Sequence, residues 1–282
     1  MRREIVKLVA LFILFLGASV LLHLRSENIA DPDSFYHIRH SALYRTGGVS
    51  QQAFPWTQYS AIREAGADLW YGFHIFSIPL TLTDDLVEGI RTGEILTFAV
   101  SALLIFLGFR IIGMRLPLLW LAFFFFSAGD ILFRSGMFRP HPLTLGLIVL
   151  LFSLLGRRTI EIQKPASPTI SILFPLFASS FFISWLHLSL SWLPVLVIIV
   201  IAVIRFLTRE PFLLRENVAV VLGLAGGVLA RPNAFGALKL TYIQVVELAR
   251  AKLNGVPLIF GHEIDPLTWE GFFDQRIPFF LI

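Results

Sequence analysis

Long apolar runs recur along this chain, separated by polar breaks, and they leave few folds open. The first covers 5–24, and others cover 86–109, 116–133, 143–155, 170–186, 188–206 and 218–230. A helix crossing a bilayer needs roughly 20 mostly apolar residues, and its backbone groups must be satisfied within the helix itself. The expected fold is therefore all-α, a polytopic transmembrane helical bundle of about seven spans. Composition agrees: 56% of residues are hydrophobic and 15% charged, against about a quarter charged in soluble domains. Mean hydropathy is +0.77. The chain has no cysteine, which excludes a disulfide framework, a thiolate nucleophile and a Cys-based zinc site. The net charge of +4 comes from basic residues at span ends, so membrane topology accounts for it and no nucleic-acid partner is expected.

Arg2, Arg3 and Lys7 place the start of the first span in the cytoplasm by the positive-inside rule. His23, Leu24 and Arg25 stand where a signal peptide would carry small residues, so this span is read as uncleaved. The first outer loop, 25–85, then carries surface helices. One covers Asp31 to Tyr44, capped by Asp31 or Asp33, with Pro32 in its first turn and Gly47-Gly48 ending it. A second, 69–82, contains His74 and Pro79 and reads as an amphipathic surface helix rather than a span. Arginines and lysine mark the cytoplasmic turns at Arg110 and Arg115, at Arg157, Arg158 and Lys164, and at Arg205, Arg209 and Arg215. Gly223, Gly226 and Gly227 permit close helix contact. A last outer loop covers 231–275. Residues 276–282 resemble the opening of an eighth span, so the chain reads as a single domain, 1–282, truncated at its C-terminus. The expected location is a plasma or bacterial inner membrane.

The chemistry-bearing residues gather on the outer side. Asp31 and Asp33 are two apart and could share a divalent cation such as Mg or Mn, since hard cations take several oxygen ligands. Such a cation stabilises a phosphate leaving group. His37 and Arg39 follow within two helical turns, and Arg39 could pair with a phosphate or with Asp33. Helix capping alone would explain a single Asp; the train of Phe35, Tyr36, His37 and Arg39 favours a site. The second outer loop holds Arg134, Arg139 and His141, cations against the usual side bias, suited either to a lipid-linked phosphate or to headgroup anchoring. His187 ends the fifth span, and Arg231 opens the last loop. Glu263 and Asp265 could reach the same site. Asp130 is spaced to pair with Arg134. No P-loop, Rossmann glycine fingerprint, His-Glu-x-x-His or Gly-x-Ser-x-Gly occurs.

The string Asp31-Pro32-Asp33-Ser34-Phe35-Tyr36-His37-Ile38-Arg39 resembles the first outer loop of the GT-C class of membrane glycosyltransferases, and within it the oligosaccharyltransferase catalytic subunit. The resemblance covers the first half of the chain and is specific only in this loop. It implies Asp33 as the metal-binding acid with Asp31 as its companion. It also implies a polyprenyl-phosphate or -diphosphate sugar donor and a protein, lipid or glycan acceptor at the non-cytoplasmic face. Arg139-Pro140-His141 stands where the family has a second acidic motif. Either His141 replaces a metal ligand or arginines replace the metal, and the acceptor-recognition motif Trp-Trp-Asp-Tyr-Gly is absent. The competing expectation is a non-enzymatic membrane protein: a lipid-linked-glycan binder, flippase or transporter.

Overall fold

The computed structural model describes residues 2–23, 29, 31–54, 60–127, 129–161 and 170–257. Lys164, Glu263, Asp265 and residues 276–282 lie outside them, as does the side chain of Asp130. Every regular element among the described residues is helical, with no strand: α1 (Arg2–His23), α2 (Pro32–Gly47), α3 (Ala61–Ala65), α4 (Tyr71–Phe76), a 3-10 turn (Ile78–Thr81), α5 (Leu86–Ile111), α6 (Pro117–Phe126), α7 (Gly129–Ser135), α8 (Pro140–Glu161), α9 (Ile170–Leu186), a 3-10 turn (Leu188–Leu190), α10 (Trp192–Leu207), α11 (Leu214–Leu229), α12 (Ala234–Tyr242), a π turn (Ile243–Glu247) and α13 (Leu248–Leu253).

Among the described residues, four helical stretches are long and apolar enough to cross a membrane: Arg3–His23, Leu86–Ile111, Pro140–Ile160 and Leu188–Leu207. Two of them bury little of that surface. Along α10, Val195, Leu196, Ile199, Val200, Val203 and Ile204 are all exposed, as are Ile5, Val9, Ile13 and Leu21 on α1. A continuous apolar face of this size needs apolar surroundings, which makes the chain compatible with an integral membrane protein.

The apolar run 116–133 forms two short helices, α6 and α7, rather than one rod. The stretch 69–82 likewise forms only α4 and a 3-10 turn, and Tyr71, Gly72, Phe73 and His74 are buried. It is a wedge within the protein, not a continuous amphipathic helix on a surface. The physical reason is Pro79, which cannot continue a helix through its own position, and Gly72, which lets α4 close onto the indole of Trp185 on α9.

The helices pack side by side, α1 on α5, α5 on α8, α8 on α9 and α9 on α11, around Ile90, Phe138, Leu151, Leu155, Leu176 and Ile183. Their ends sort into two groups. At one end Arg110 pairs with Glu4 at 2.6 Å, and Arg158 with Glu216 at 2.6 Å. At the other lie α2, α4, the start of α8 and the ends of α9 and α11.

The tightest seam joins α9 to α11. A Cβ at Gly223 would lie 2.1 Å from Ser180 Oγ, and one at Gly227 2.1 Å from Ser184 Oγ. Glycines four apart face serines four apart, so the two backbones approach closely, and Ser184 Oγ donates across the seam to the Leu224 carbonyl at 2.9 Å. Gly227→Leu is therefore expected to destabilise the protein by about 1–3 kcal/mol, the usual cost of overpacking. Gly17 has nothing within 4 Å, and Gly17→Leu is expected to change stability by no more than about 0.5 kcal/mol. Denaturant unfolding in detergent checks both; equal effects from the two would refute the close seam.

Candidate functional site

The first loop folds as its residues dictate. Asp31 takes extended backbone and caps α2, accepting from the Asp33 N–H at 3.2 Å and from Ser34 Oγ at 3.1 Å. Pro32 opens the helix, where its missing N–H costs nothing. Gly48 closes it with φ +90°, a conformation that favours glycine.

This cap carries a second partner 108 residues away. Arg139 donates from Nε to Asp31 Oδ2 at 2.7 Å and from a terminal nitrogen to Asp31 Oδ1, and the same nitrogen lies 3.0 Å from Asp33 Oδ2. Asp31 is sealed, whereas the side chain of Asp33 is 58% exposed. Burial alone would raise the Asp31 carboxyl; the hydrogen bonds and charge of Arg139 outweigh it and hold the group below its ordinary range.

A guanidinium thus sits between the two acids proposed as metal ligands. Both Asp31 oxygens are engaged, and a divalent ion there would meet the charge of Arg139 at contact distance. The residues present do not fit a metal held by Asp31 and Asp33. His141 faces elsewhere, edge-on to His187 with ring centroids 4.5 Å apart.

Behind this clamp lies a buried polar cluster built from α2, α4 and the loop before α4. Asp68 Oδ2 accepts from His74 Nδ1 at 2.6 Å and from the Tyr44 hydroxyl at 3.0 Å, and Oδ1 accepts from the Trp70 N–H at 2.9 Å. His74 Nε2 meets His37 Nδ1 at 2.8 Å. His40 stacks on His74 with centroids 4.3 Å apart. Burial pushes Asp68 up, but electrostatic attraction to His74 and its hydrogen bond, with His40 and the Trp70 N–H, pull it well below the carboxylate range. Burial, then the neighbouring His74, lowers His37 well below the ordinary imidazole value and brings His40 to about 3. Burial raises the Tyr36 and Tyr44 phenols, with Asp68 adding to it.

The other residues read from sequence divide. Arg231 is buried and gives its guanidinium to backbone carbonyls, to Asp68 at 2.9 Å and to Ser184 on α9. It fastens the end of α11 to α9 and to the Asp68 loop rather than offering itself to a substrate. Burial lowers it to about 10, opposed by Asp68. His187 is buried with neither ring nitrogen hydrogen-bonded, and burial, with His141 beside it, brings it to about 3. Arg39 is exposed on α2, and Arg134 lies in the last turn of α7.

Sequence reasoning missed Asp68, His40 and the linking role of His74. The signal available was the spacing: His37 and His40 lie one turn apart on a helix, and Asp68 and His74 flank one short turn. It also passed over Glu94, buried on α5 within an apolar run. Glu94 lines a cavity of about 210 Å³ with Asp31, His23, Arg91, Leu22, Ile29, Phe98, Leu132, Phe133 and Met137.

No family model matches the chain, and no curated protein matches it.

The histidine shifts have a common sign. His37, His40 and His187 titrate in the folded state below their unfolded value, near 6.5, so between the two values the unfolded chain binds more protons. Stability therefore falls as pH drops from about 6.5 toward about 3. The depressed Asp31 and Asp68 add stability that is present above roughly 3.9 and is lost below it. His187→Phe removes one contributor, and the acid side of its stability–pH curve, read by thermal unfolding in detergent, should be shallower than wild type. A superimposable curve would mean that His187 is not buried as a neutral ring.

Proposed function

We propose that the chain is a GT-C-like membrane glycosyltransferase that takes a sugar from a polyprenyl-phosphate or -diphosphate donor at the non-cytoplasmic face. The observation that carries this reading is the Asp31–Arg139–Asp33 clamp, whose Asp31 also lines a cavity that combines an apolar wall with His23, Arg91 and Glu94. The apolar lining, Leu22, Ile29, Phe98, Leu132 and Phe133, suits a prenyl chain, and the clamp meets it at headgroup depth. The donor phosphate replaces Asp33 on Arg139, because Asp33 is the exposed partner and holds one guanidinium nitrogen only. Asp31 keeps the guanidinium aimed. Arg139 then supplies the positive charge that a metal supplies in the resembled family, stabilising the departing phosphate. Asp33, released, orients the acceptor.

The arrangement of helix ends supports a multi-pass topology in which α1, α5, α6 with α7, α8, α9, α10 and α11 alternate in direction. The Glu4–Arg110 and Arg158–Glu216 pairs then lie on the cytoplasmic side, with the clamp outside. The competing reading, a flippase or transporter of lipid-linked glycans, would use the same cavity without a bond-breaking step.

The test is turnover of radiolabelled undecaprenyl-phosphate glucose by the full chain in liposomes. Arg139→Ala should lower sugar release by about 100-fold or more, Arg115→Ala should leave it unaltered, and EDTA should have no effect. Activity abolished by EDTA and restored by Mn would place a metal where Arg139 sits. Movement of the intact donor between leaflets without sugar release would replace the transferase reading with the transporter.

A further inference from the structure

With Asp68 ionised and His74 neutral, the hydrogen bonds of the buried cluster can run in one direction only. Ionised Asp68 can only accept, so His74 donates from Nδ1 at 2.6 Å. A neutral His74 then has only a lone pair at Nε2, so His37 donates from its Nδ1 at 2.8 Å. The remaining lone pair of His37 therefore lies on Nε2. Among the described residues no group hydrogen-bonds that nitrogen, and it is not sealed away as both ring nitrogens of His187 are. Tyr36, Trp70 and Phe73 surround the ring edge-on at centroid distances of 5.3, 5.4 and 5.2 Å, fixing its plane. His37 is also one helical turn from Asp33 on the same face of α2, beside the Arg139 clamp.

A metal held by His40, Asp68 and His74 is the competing account, since their ligand atoms lie within 4.8 Å of one another. Two features oppose it. Ligand atoms around tetrahedral zinc are spaced about 3.3 Å apart, given bonds of roughly 2.0 Å, whereas the Asp68–His74 pair is at 2.6 Å. The His40 and His74 rings also stack with only 10° between their planes, so their in-plane lone pairs run parallel instead of converging.

We infer that His37 is the proton acceptor for the hydroxyl group of the acceptor substrate, and that Asp68 and His74 are positioning residues that hold it in the tautomer with an open Nε2. The inference rests on the glycosyl-transfer reading above. The acceptor oxygen bonds to the anomeric carbon as the bond from that carbon to the phosphate oxygen breaks. The phosphate leaves with the electron pair and is met by Arg139, and the hydroxyl proton passes to His37 Nε2. The resulting positive charge is stabilised through His74 by the Asp68 carboxylate. The acceptor class is thus a hydroxyl, on a sugar, a lipid or a Ser/Thr side chain, rather than an amide.

Two measurements on the full chain in detergent test this separately from the transferase reading. Diethylpyrocarbonate labelling, mapped by mass spectrometry, should modify His37 well ahead of His40, His74 and His187, and His74→Leu should slow it. Turnover of undecaprenyl-phosphate glucose with octyl glucoside as hydroxyl acceptor should fall by about 10²–10⁴-fold in kcat for His37→Gln, with little change in KM. His74→Leu should show a similar loss. His74→Gln, whose amide accepts from His37 and donates to Asp68, should recover most of it, which a loss through misfolding would not do. An unlabelled His37 in the wild type, or His37→Gln turning over at the wild-type rate, would overturn the assignment. Absence of any turnover in the wild type would sink the transferase reading instead, and the labelling pattern would still decide whether the tautomer is held.

Discussion

A carboxylate sealed from water has to be met by hydrogen-bond donors, and the groups that hold Asp68 come from separate parts of the chain. Tyr44 donates to it from α2, where His40 also lies 3.7 Å away, His74 and the Trp70 N–H donate from α4 and the turn before it, and Arg231 grips its backbone carbonyl from the end of α11. Arg231 continues to the last carbonyls of α9. One residue therefore ties α2, α4, α9 and α11 together at the end of the bundle where the site lies. Removing one partner from such a group leaves an uncompensated buried charge, which costs about 3–5 kcal/mol. The same demand for neutralisation makes the arrangement rigid.

Asp31 repeats the device nearer the surface. It caps its own helix and holds a guanidinium that arrives with the start of α8. The three acids of the site divide the work by exposure. Asp31 and Asp68, both buried, fix geometry, while Asp33, exposed, is free to exchange partners. Between them lies His37, close enough to both anchors to be oriented and still open at one nitrogen. On the proposed reading, a preorganised charge beside a partly apolar cavity suits a lipid-linked phosphate donor, because the protein then has no reorganisation to perform when the bond breaks.

The local frame of α2 and the helix seam were legible in the residues. The Asp31 cap, the Pro32 start and the Gly48 stop of α2 follow from backbone preferences that act within a few positions. The Gly223 and Gly227 seam follows from helical spacing. Asp68 was not legible, because a lone acid before Leu69-Trp70-Tyr71 has no local signature of burial and its partners are distant in sequence. Arg231 was visible as a charge at a helix end, but whether such a charge meets substrate or backbone carbonyls is settled by which loop packs over it. The short helices in 69–82 and 116–133 escaped for a related reason: hydropathy reports that a stretch avoids water, not whether lipid or protein covers it.

By itself, then, the sequence determined the all-helical class, the long apolar helices and the local frame of the Asp31–Arg39 loop, since apolar length, capping and backbone conformation are short-range properties. Only the tertiary structure decided that Arg139 lies between the two acids, that Arg231 is a fastener, and that Asp68 speaks through His74 to His37. Those outcomes are set by desolvation and charge pairing between groups far apart in the chain, and no reading of neighbouring residues contains them.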